Sequence, residues 1–529
     1  MKLSDLIRTA DLPDGLVLSV SSAAPPNASA DPEIARITDD SRALDAATLF
    51  GITDQARPYL AKILTAWLDR DASPPTCAAI LLSSECRRDP ELARLLAQAI
   101  EQIPVILETD DVKLAQGLLS AALYRHPARE IQLVGVTGTN GKTTVTRMLF
   151  EVWRGLGQAA GVIGTLGALW ECTAADGQVV RREIKTGYTT PRAPQLHELL
   201  RRMADDGVRL VALEVSSEAL SLGRLAGTRF AAAAFTNLTV DHLDFHGDIE
   251  SYYQAKRLLF TMTAESGGSI IVCAADLYGR RLAAEFAQPP ARCEVLDAPF
   301  ITRLPAPTRF NQWNASLAAR LAVHIHATAN LPTPDRIAAL LEHHADIPGR
   351  FVRVPADPDD DTGALYGIVD YAHTPDALEN VLRETRALGV ACIVCVFGCG
   401  GNRDRSKRSL MGAIAGRLAD VVVVCDDNPR QEDPAAIRAE ILRGVRETKS
   451  STNETIFEIG DRRAAIQGAV ELAHEIAARP AVVVVAGKGH EEEQIFATTR
   501  IPFSDAGELR AAFDARNAFE TKNQTGVRR

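Results

Sequence analysis

The sequence predicts an α/β protein of three domains: a central P-loop domain on a doubly wound parallel sheet, a C-terminal Rossmann-like α/β domain, and a small N-terminal α/β domain. Three observations predict it. Short apolar runs alternate with stretches of helical spacing, the pattern of parallel strands joined by helices. One run ends in a glycine-rich loop closed by a lysine. At 529 residues the chain exceeds what one core holds and divides into about three domains.

The glycine loop is Gly135-Val-Thr-Gly-Thr-Asn-Gly-Lys-Thr-Thr144. The apolar run 131–136 reads as a buried strand, and helical spacing follows through Val145, Met148, Leu149 and Val152 until Gly155 stops it. Strand, loop and helix N-terminus make a phosphate cradle. Backbone N–H groups of Gly138, Thr139, Asn140 and Gly141 can close on an anion, aided by the helix dipole. Lys142 supplies a point charge for outer phosphates, and Thr143, followed by Thr144, a hydroxyl for Mg²⁺. Val136 stands where the usual pattern has its first glycine, so the loop is a variant form flanked by Gly135 and Gly138. It implies a nucleoside-triphosphate site.

Composition excludes several classes. With 46% hydrophobic and 24% charged residues the chain is of ordinary globular type. A net charge of −10 argues against a nucleic-acid groove or an anionic membrane surface. No apolar run is long enough to span a bilayer, and the opening residues lack the apolar core of a signal peptide. Nine cysteines without regular spacing indicate a reducing cytoplasm. Cys392 and Cys395 lie inside the apolar run 391–397 and read as buried strand thiols.

Residues 1–128 form the first unit. It holds a loop over 22–32, strand-like runs at 37–42, 78–82 and 105–107, and a helix over 114–123. In Asp40-Ser41-Arg42 a hydroxyl and a guanidinium could hold a phosphate or carboxylate; a solvated turn explains them equally well.

The second unit, 129–348, has strand-like runs at 208–215, 231–235 and 269–273. In such a sheet functional side chains gather at the C-terminal strand ends. Glu214 closes one run and suits Mg²⁺, which takes oxygen ligands. Asp241 and His242 follow the next and offer an acceptor beside an imidazole. Lys256 falls among Ile249, Tyr252, Tyr253, Leu259 and Phe260 on one helical face. There a lysine either snorkels to solvent or is buried with a task. A buried amine tends to the neutral, nucleophilic form and can add CO₂ as a carbamate. By pattern alone the snorkelling reading is preferred.

The third unit, 349–529, is marked off by the break Pro348-Gly349-Arg350. Its strands are 366–369 ending at Asp370, 391–397, 421–425 and 481–485, and Thr374 caps a helix that opens with Pro375. Polar loops follow these strands at 398–405, 426–430 and 487–491, a surface for an acidic, amine-bearing small molecule. From about 515 the tail reads as polar and fraying.

These residues together resemble the Mur ligase family, ATP-dependent enzymes that add amino acids to the peptidoglycan precursor, and within it the MurE type. The resemblance covers most of the second and third units. It rests on Gly138-Thr-Asn-Gly-Lys-Thr-Thr144, Thr189-Thr-Pro191, Glu214-Val-Ser-Ser217, Asn237-Leu-Thr-Val-Asp-His242, Tyr252-Tyr-Gln-Ala-Lys256, Phe310-Asn311, Asp370-Tyr-Ala-His-Thr-Pro-Asp376, Gly400-Gly-Asn-Arg-Asp404, Asp427-Asn-Pro-Arg430 and Gly487-Lys-Gly-His-Glu491. It implies ATP and Mg²⁺ as cofactors, with Lys142 on the phosphates and Thr143 with Glu214 on one Mg²⁺. His242 would serve a second ion, with Lys256 at the position the family carbamylates, which reverses the snorkelling preference. Asn311 would lie near adenine, and Asp370 with His373 would complete the nucleotide site. Asp427, Asn428, Pro429 and Arg430 match the loop that selects meso-diaminopimelate over lysine; Arg403, Gly487 and Glu491 match its other contacts. Ser41, Thr189, Thr190, Ser216 and Arg224 fall on the side of the UDP-sugar-peptide.

The implied reaction adds meso-diaminopimelate to UDP-MurNAc-L-Ala-D-Glu through an acyl phosphate, by a cytoplasmic monomer without nucleic-acid or membrane partners. The alternatives are a different carboxylate acceptor or a non-catalytic nucleotide-binding relative. Departures from the family pattern gather on the acceptor side. Glu218 stands where histidine is usual, Leu222 for a glutamine and Tyr188 for an asparagine, and 51–56 lack the glycine-rich continuation.

Overall fold

The computed structural model describes residues 1–21, 31–53, 57–68, 77–99, 105–174, 176–289, 291–304, 308–326, 333–343, 347–357, 363–449, 455–476 and 478–526. The expected loop over 22–32 lies almost wholly outside these residues, as does half of 51–56.

The first sheet contains β1 (Ser19–Ser21), β2 (Arg36–Thr38), β3 (Thr48–Gly51), β4 (Ala79–Ser83) and β5 (Val105–Thr109) in the order β1-β5-β4-β3-β2. Strands β3 and β4 are buried throughout, so no polar alternation marks them. The expected strand over 37–42 stops at Thr38. Thr38 Oγ1 accepts from Asp40 N at 3.1 Å and Asp40 Oδ1 from Arg42 N at 3.0 Å, so local side-chain bonds turn the chain. The helix Val112–Leu123 is capped by Asp111, which accepts from Leu114 N, and it leads into the second sheet.

The second sheet holds β6 (Gln132–Thr137), β7 (Ala160–Gly164), β8 (Gly167–Thr173), β9 (Val179–Ile184), β10 (Leu210–Glu214), β11 (Ala232–Phe235), β12 (Ser269–Cys273) and β13 (Arg292–Leu296). Their order is β13-β12-β11-β6-β10-β7-β8-β9. The strands are parallel from β13 to β7, while β8 and β9 extend the edge antiparallel. Helices Lys142–Gly155 and Arg309–His324 cover one face, and Ala193–Asp205 with Ile249–Glu265 the other. Because β6 lies between β10 and β11, the ends of those strands flank the glycine loop.

The third sheet orders β14 (Val352–Pro355), β15 (Leu365–Asp370), β16 (Cys392–Phe397), β17 (Val421–Val424), β18 (Ile456–Glu458) and β19 (Ala481–Ala486) as β14-β15-β19-β16-β17-β18. All are parallel except the edge strand β14. A hairpin, β20 (Glu493–Phe496) with β21 (Thr499–Pro502), follows. Cys392 and Cys395 are buried in β16, and burial pushes the Cys395 thiol up to about 12.

The tail departs from expectation. The final helix runs Asp505–Gly526, well past residue 515. Leu509, Ala512 and Phe513 bury one face, Arg516 pairs with Glu471 at 3.2 Å, and Asn517 Nδ2 donates to Ala356 O at 3.0 Å. A polar surface face had masked an apolar stripe. No helix among the described residues is long and apolar enough to cross a membrane.

Candidate active site

The C-terminal ends of the second and third sheets open onto one cleft of about 930 Å³. Its floor is the glycine loop. Gly138 and Gly141 have φ of 149° and 91°, and a Cβ at Gly138 would strike the Thr236 hydroxyl while one at Gly141 would sit 2.6 Å from Asn314 Oδ1. The loop is braced from β11: Thr236 Oγ1 donates to Asn140 O at 2.6 Å, and Asn237 Oδ1 accepts from Asn140 N at 3.0 Å. Lys142 folds back, its Nζ donating to the carbonyls of Gly138 and Thr139, each at 2.9 Å. Burial and Arg350 lower its pKa against the opposing pull of Glu214 and Asp241.

Glu214, 1% exposed, ends β10 beside this loop. Its Oε2 accepts from Thr143 Oγ1 at 2.9 Å and Thr165 Oγ1 at 3.0 Å, and its Oε1 from Thr165 N at 3.0 Å. A hydroxyl and a carboxylate thus converge as hard oxygen donors, a set that fits Mg²⁺. Thr190 Oγ1 donates to Glu214 O at 2.8 Å and accepts from Ser216 N at 3.0 Å, tying the 189–190 turn to the end of β10.

His242 has a left-handed φ of 53°, and its ring lies 3.4 Å from both Glu218 Oε1 and Asp241 Oδ2. Burial lowers its pKa, with Lys142 and Lys256 acting in the same sense. Lys256 is 1% exposed and does not snorkel. Its Nζ donates to Gly138 O at 2.8 Å and lies 4.4 Å from the Tyr252 ring centroid. Burial, with Lys142 nearby, lowers its pKa well below the ordinary lysine value. It lies behind the glycine loop rather than on the cleft surface.

Across the cleft, both Asp370 oxygens are used by its own backbone surroundings, accepting from Phe351 N at 2.7 Å and Ala372 N at 2.8 Å. His373 Nδ1 donates to Tyr371 O at 2.8 Å, and burial with Lys407 pushes its pKa down to about 4. Both residues line the cleft.

The loops after β17 and β19 are bonded to each other. Asn428 Nδ2 donates to Glu491 Oε2 at 2.8 Å. The fully buried Lys488 donates to that same oxygen at 2.8 Å and to Asn428 Oδ1 at 3.1 Å. Arg430 Nη1 donates to Gly401 O at 2.7 Å, with the half-buried guanidinium facing the cleft near Arg403. Asp427, Asn428, Gly487 and Glu491 line the cleft beside it, while Pro429 stands behind and packs on Gly401.

Thr189, Thr190, Ser216 and Arg224 line the cleft on the side of the first sheet. Arg224 Nη1 donates to Thr190 O at 3.0 Å. Tyr188 sits between two guanidiniums, with Arg224 at 4.9 Å and Arg192 at 5.3 Å from its centroid, and Arg192 pairs with Asp39 at 2.7 Å.

Besides Lys256 and Pro429, which stand behind the loops, Ser41 and Asn311 are not brought to the cleft surface. Ser41 lies exposed in the turn after β2, outside the cleft lining, and Arg42 is spent on Asp40 at 2.8 Å. Asn311 is buried in its helix, and Asn314, one turn further on, reaches the cleft instead. Helical spacing from the glycine loop could have found Asn314 only with the helix's rotation known. Arg350 was passed over as a boundary marker. Its Nη2 donates to Thr143 Oγ1 at 3.1 Å, and its guanidinium stacks 4.4 Å from the Tyr371 centroid. Asp376, which the sequence marks only as part of a motif without a site role, accepts from Asn140 Nδ2 at 3.0 Å across the cleft.

A phosphate cradle facing a second α/β sheet across one cleft defines a nucleotide-dependent transferase or ligase. Residues 136–298 match the Mur ligase middle domain, and residues 349–489 the Mur ligase, glutamate ligase domain. The chain belongs to the Mur ligase family and is an ATP-dependent ligase. It is 40% identical over 447 residues to the UDP-N-acetylmuramoyl-L-alanyl-D-glutamate–2,6-diaminopimelate ligase of Gloeobacter violaceus, covering 80% of this chain and 85% of that protein. The same-named ligase of Parasynechococcus marenigrum is 37% identical over 513 residues, 92% of this chain and 96% of the relative. A solved structure of such a ligase superposes with a TM-score of 0.55 at 28% identity, over 92% of this chain and 95% of that one. Mycobacterium tuberculosis folylpolyglutamate synthase, complexed with ADP and AMPPCP, has a TM-score of 0.54 at 16% identity over 76% of this chain and 95% of its own, a likeness of fold alone.

Proposed function

We propose that this chain joins meso-diaminopimelate to UDP-MurNAc-L-Ala-D-Glu, using ATP, in the cytoplasm and as a monomer. One observation carries the proposal: the glycine loop and the Arg403/Arg430/Glu491 cluster face each other across a single cleft. The diaminopimelate ligases to which the chain is similar add to it. The division of labour follows, with 1–128 on the UDP-linked acceptor, 129–348 on ATP and 349–529 on the amino acid.

A carboxylate is a poor electrophile and must be activated. An acceptor carboxylate oxygen attacks the γ-phosphorus of ATP, the bond to the β–γ bridging oxygen breaks, and ADP leaves. The substrate amine then attacks the acyl carbon, the bond to the phosphate oxygen breaks, and phosphate departs as the amine loses its proton. Lys142 and Arg350 would meet the phosphates, Arg350 reaching over from the third sheet's side to 3.1 Å from Thr143. Thr143 and Glu214 would hold one Mg²⁺, which when bound neutralises phosphate charge. His242 and a Lys256 carbamate would serve a second. The neutral Lys256 amine favoured by burial can form that carbamate as its nitrogen bonds to the carbon of CO₂, one C=O π bond breaks, and a proton goes to solvent.

The amino acid is held by opposite charges. Arg403 and Arg430 would take its carboxylates, and Glu491 and Asp427 its ammonium groups. The test is phosphate release with UDP-MurNAc-L-Ala-D-Glu across a panel of amino acids. Turnover dependent on diaminopimelate supports the proposal; none with any panel member overturns it. A different carboxylate acceptor is the second reading, favoured by Tyr188 between two arginines and by Glu218 beside His242.

A further inference from the structure

Behind the amino-acid loops lies an ion pair neither of whose members lines the cleft. Arg462 and Asp505 have side chains 0% exposed, an exceptional burial for two charges. Arg462 opens the helix Arg462–Glu475 and Asp505 opens the final helix. The fork is bidentate: Nε donates to Asp505 Oδ1 at 2.7 Å and Nη2 to Asp505 Oδ2 at 2.8 Å. The rest of the guanidinium points at the sheet. Nη2 also donates to Ala486 O at 2.9 Å, and Nη1 meets Cys425 Sγ at 3.5 Å.

Those two contacts are placed with purpose. Ala486 is the last residue of β19 and Cys425 immediately follows β17, so each precedes one of the loops that carry Gly487, Glu491, Asp427 and Arg430. Strand β16 lies between β19 and β17, so no ladder bond joins their ends directly. The guanidinium spans that gap. At Gly487, whose φ is 116°, a Cβ would lie 2.9 Å from Asp427 Oδ2 and 4.0 Å from Arg462 Nη2, so both groups stand beside this glycine. Burial opposes the charge on Arg462, but Asp505, Cys425 and Asp427 outweigh it and keep the guanidinium protonated.

We propose that the Arg462–Asp505 pair is a positioning element of the amino-acid subsite, clamping the ends of β17 and β19 so that Asp427 and Glu491 stand at the spacing the substrate ammonium groups require. The proposal rests on assigning the 426–430 and 487–491 loops to the amino acid. Buried ion pairs are weak stabilisers compared with apolar replacements, so stability alone does not account for the pair.

Three variants test it by steady-state kinetics with each of the three substrates varied, alongside thermal melting. Asp505→Asn keeps the shape and removes the charge that orients the fork; Arg462→Lys keeps the charge and loses the span; the double variant Arg462→Met/Asp505→Leu fills the volume without any donor to Ala486 O. Each is expected to raise KM for diaminopimelate about tenfold or more while KM for ATP and for the UDP-linked acceptor stays within about twofold. The double variant is expected to melt near the wild-type temperature yet keep the raised KM. A purely structural pair would give the opposite: the double variant restores both melting temperature and KM, or all three KM values rise together, and either result overturns the proposal. Should the single variants not fold, the double variant decides alone, and its failure to fold would overturn the separation of positioning from stability. Arg430→Ala, run in parallel, distinguishes the underlying assignment. If it leaves KM for diaminopimelate unchanged, the subsite assignment fails; if it raises that KM and the pair variants do not, only the clamp fails.

Discussion

Arg430→Ala isolates the cation proposed to select diaminopimelate. The backbone there is held without the side chain: Arg430 N donates to Ile495 O at 3.0 Å, and Ala497 N donates to Arg430 O at 2.6 Å. The φ of 53° is a left-handed strain that alanine inherits unchanged, so the substitution reports on the guanidinium alone. Nη1 is engaged by Gly401 O, and among the described residues no carboxylate forms an ion pair with this arginine. A substrate carboxylate docking on the remaining donors makes charge-assisted bonds worth about 1.5–3 kcal/mol. Half-burial places the value near the middle, about 2 kcal/mol, or roughly 30-fold in kcat/KM. L-Lysine lacks that carboxylate and would leave the cation desolvated, so the wild type should prefer diaminopimelate by about a hundredfold. Phosphate release at saturating ATP and acceptor, with diaminopimelate or L-lysine varied, measures both. Diaminopimelate use should fall roughly 30-fold in the variant, with lysine use unchanged and KM for ATP within about twofold. An unchanged preference, or a parallel rise in KM for ATP, would refute Arg430 as the selector.

Lys256→Ala should cut turnover by at least about a hundredfold with the fold retained. Wild-type enzyme equilibrated with ¹³C-labelled CO₂ should show a carbamate carbonyl resonance that the variant lacks, and a resonance present in both would discredit the assignment. Glu214→Gln, which removes the charge shared by Thr143 and Thr165, should raise the Mg²⁺ concentration needed for half-maximal rate about tenfold; an unaltered Mg²⁺ titration argues against a ligand at this position. His197 is fully buried and donates to Ala226 O at 2.9 Å, and burial pushes its pKa down from 6.5 to about 4. Between those values the unfolded chain binds a proton that the native state refuses. Stability contributed here therefore falls as pH drops from 6.5 towards 4, by up to about 1.4 kcal/mol per pH unit. His197→Gln keeps a donor to Ala226 O and should flatten the fall of melting temperature over that window; an identical slope would rule His197 out. Glu218→His should lower KM for the UDP-linked acceptor by removing a carboxylate 3.4 Å from His242, and a higher KM would show that this pair is adapted to the acceptor.

The amino-acid sequence by itself determined the elements whose cause is local. The glycine loop was legible because φ beyond the reach of other residues is needed at Gly138 and Gly141, and only glycine supplies it. Thr374 and Pro375 marked a helix start for the same kind of reason, the Thr374 side chain accepting from Ala377 N. Burial of Lys256 was half legible: the apolar face was visible at helical spacing, but whether its amine reached solvent depended on the glycine loop lying over it, 118 residues away in the chain.

Tertiary structure alone decided the rest. Helix rotation against the cleft brought Asn314 forward and left Asn311 in the core, a difference of one turn that periodicity cannot rank. Arg350 read as punctuation because one of its partners, Thr143, opens a helix of the second unit more than 200 residues away, and the other, Tyr371, follows β15. Ser41 kept its motif yet lies outside the cleft, since the local turn fixes its backbone but not its distance from the second sheet. Arg462 and Asp505 gave no signal at all: each opens an ordinary helix with polar neighbours, and 43 residues separate them. Their pairing exists because two strands of a parallel sheet, separated by a third, end at the same edge, and a charge buried at that point must find its partner wherever the chain returns.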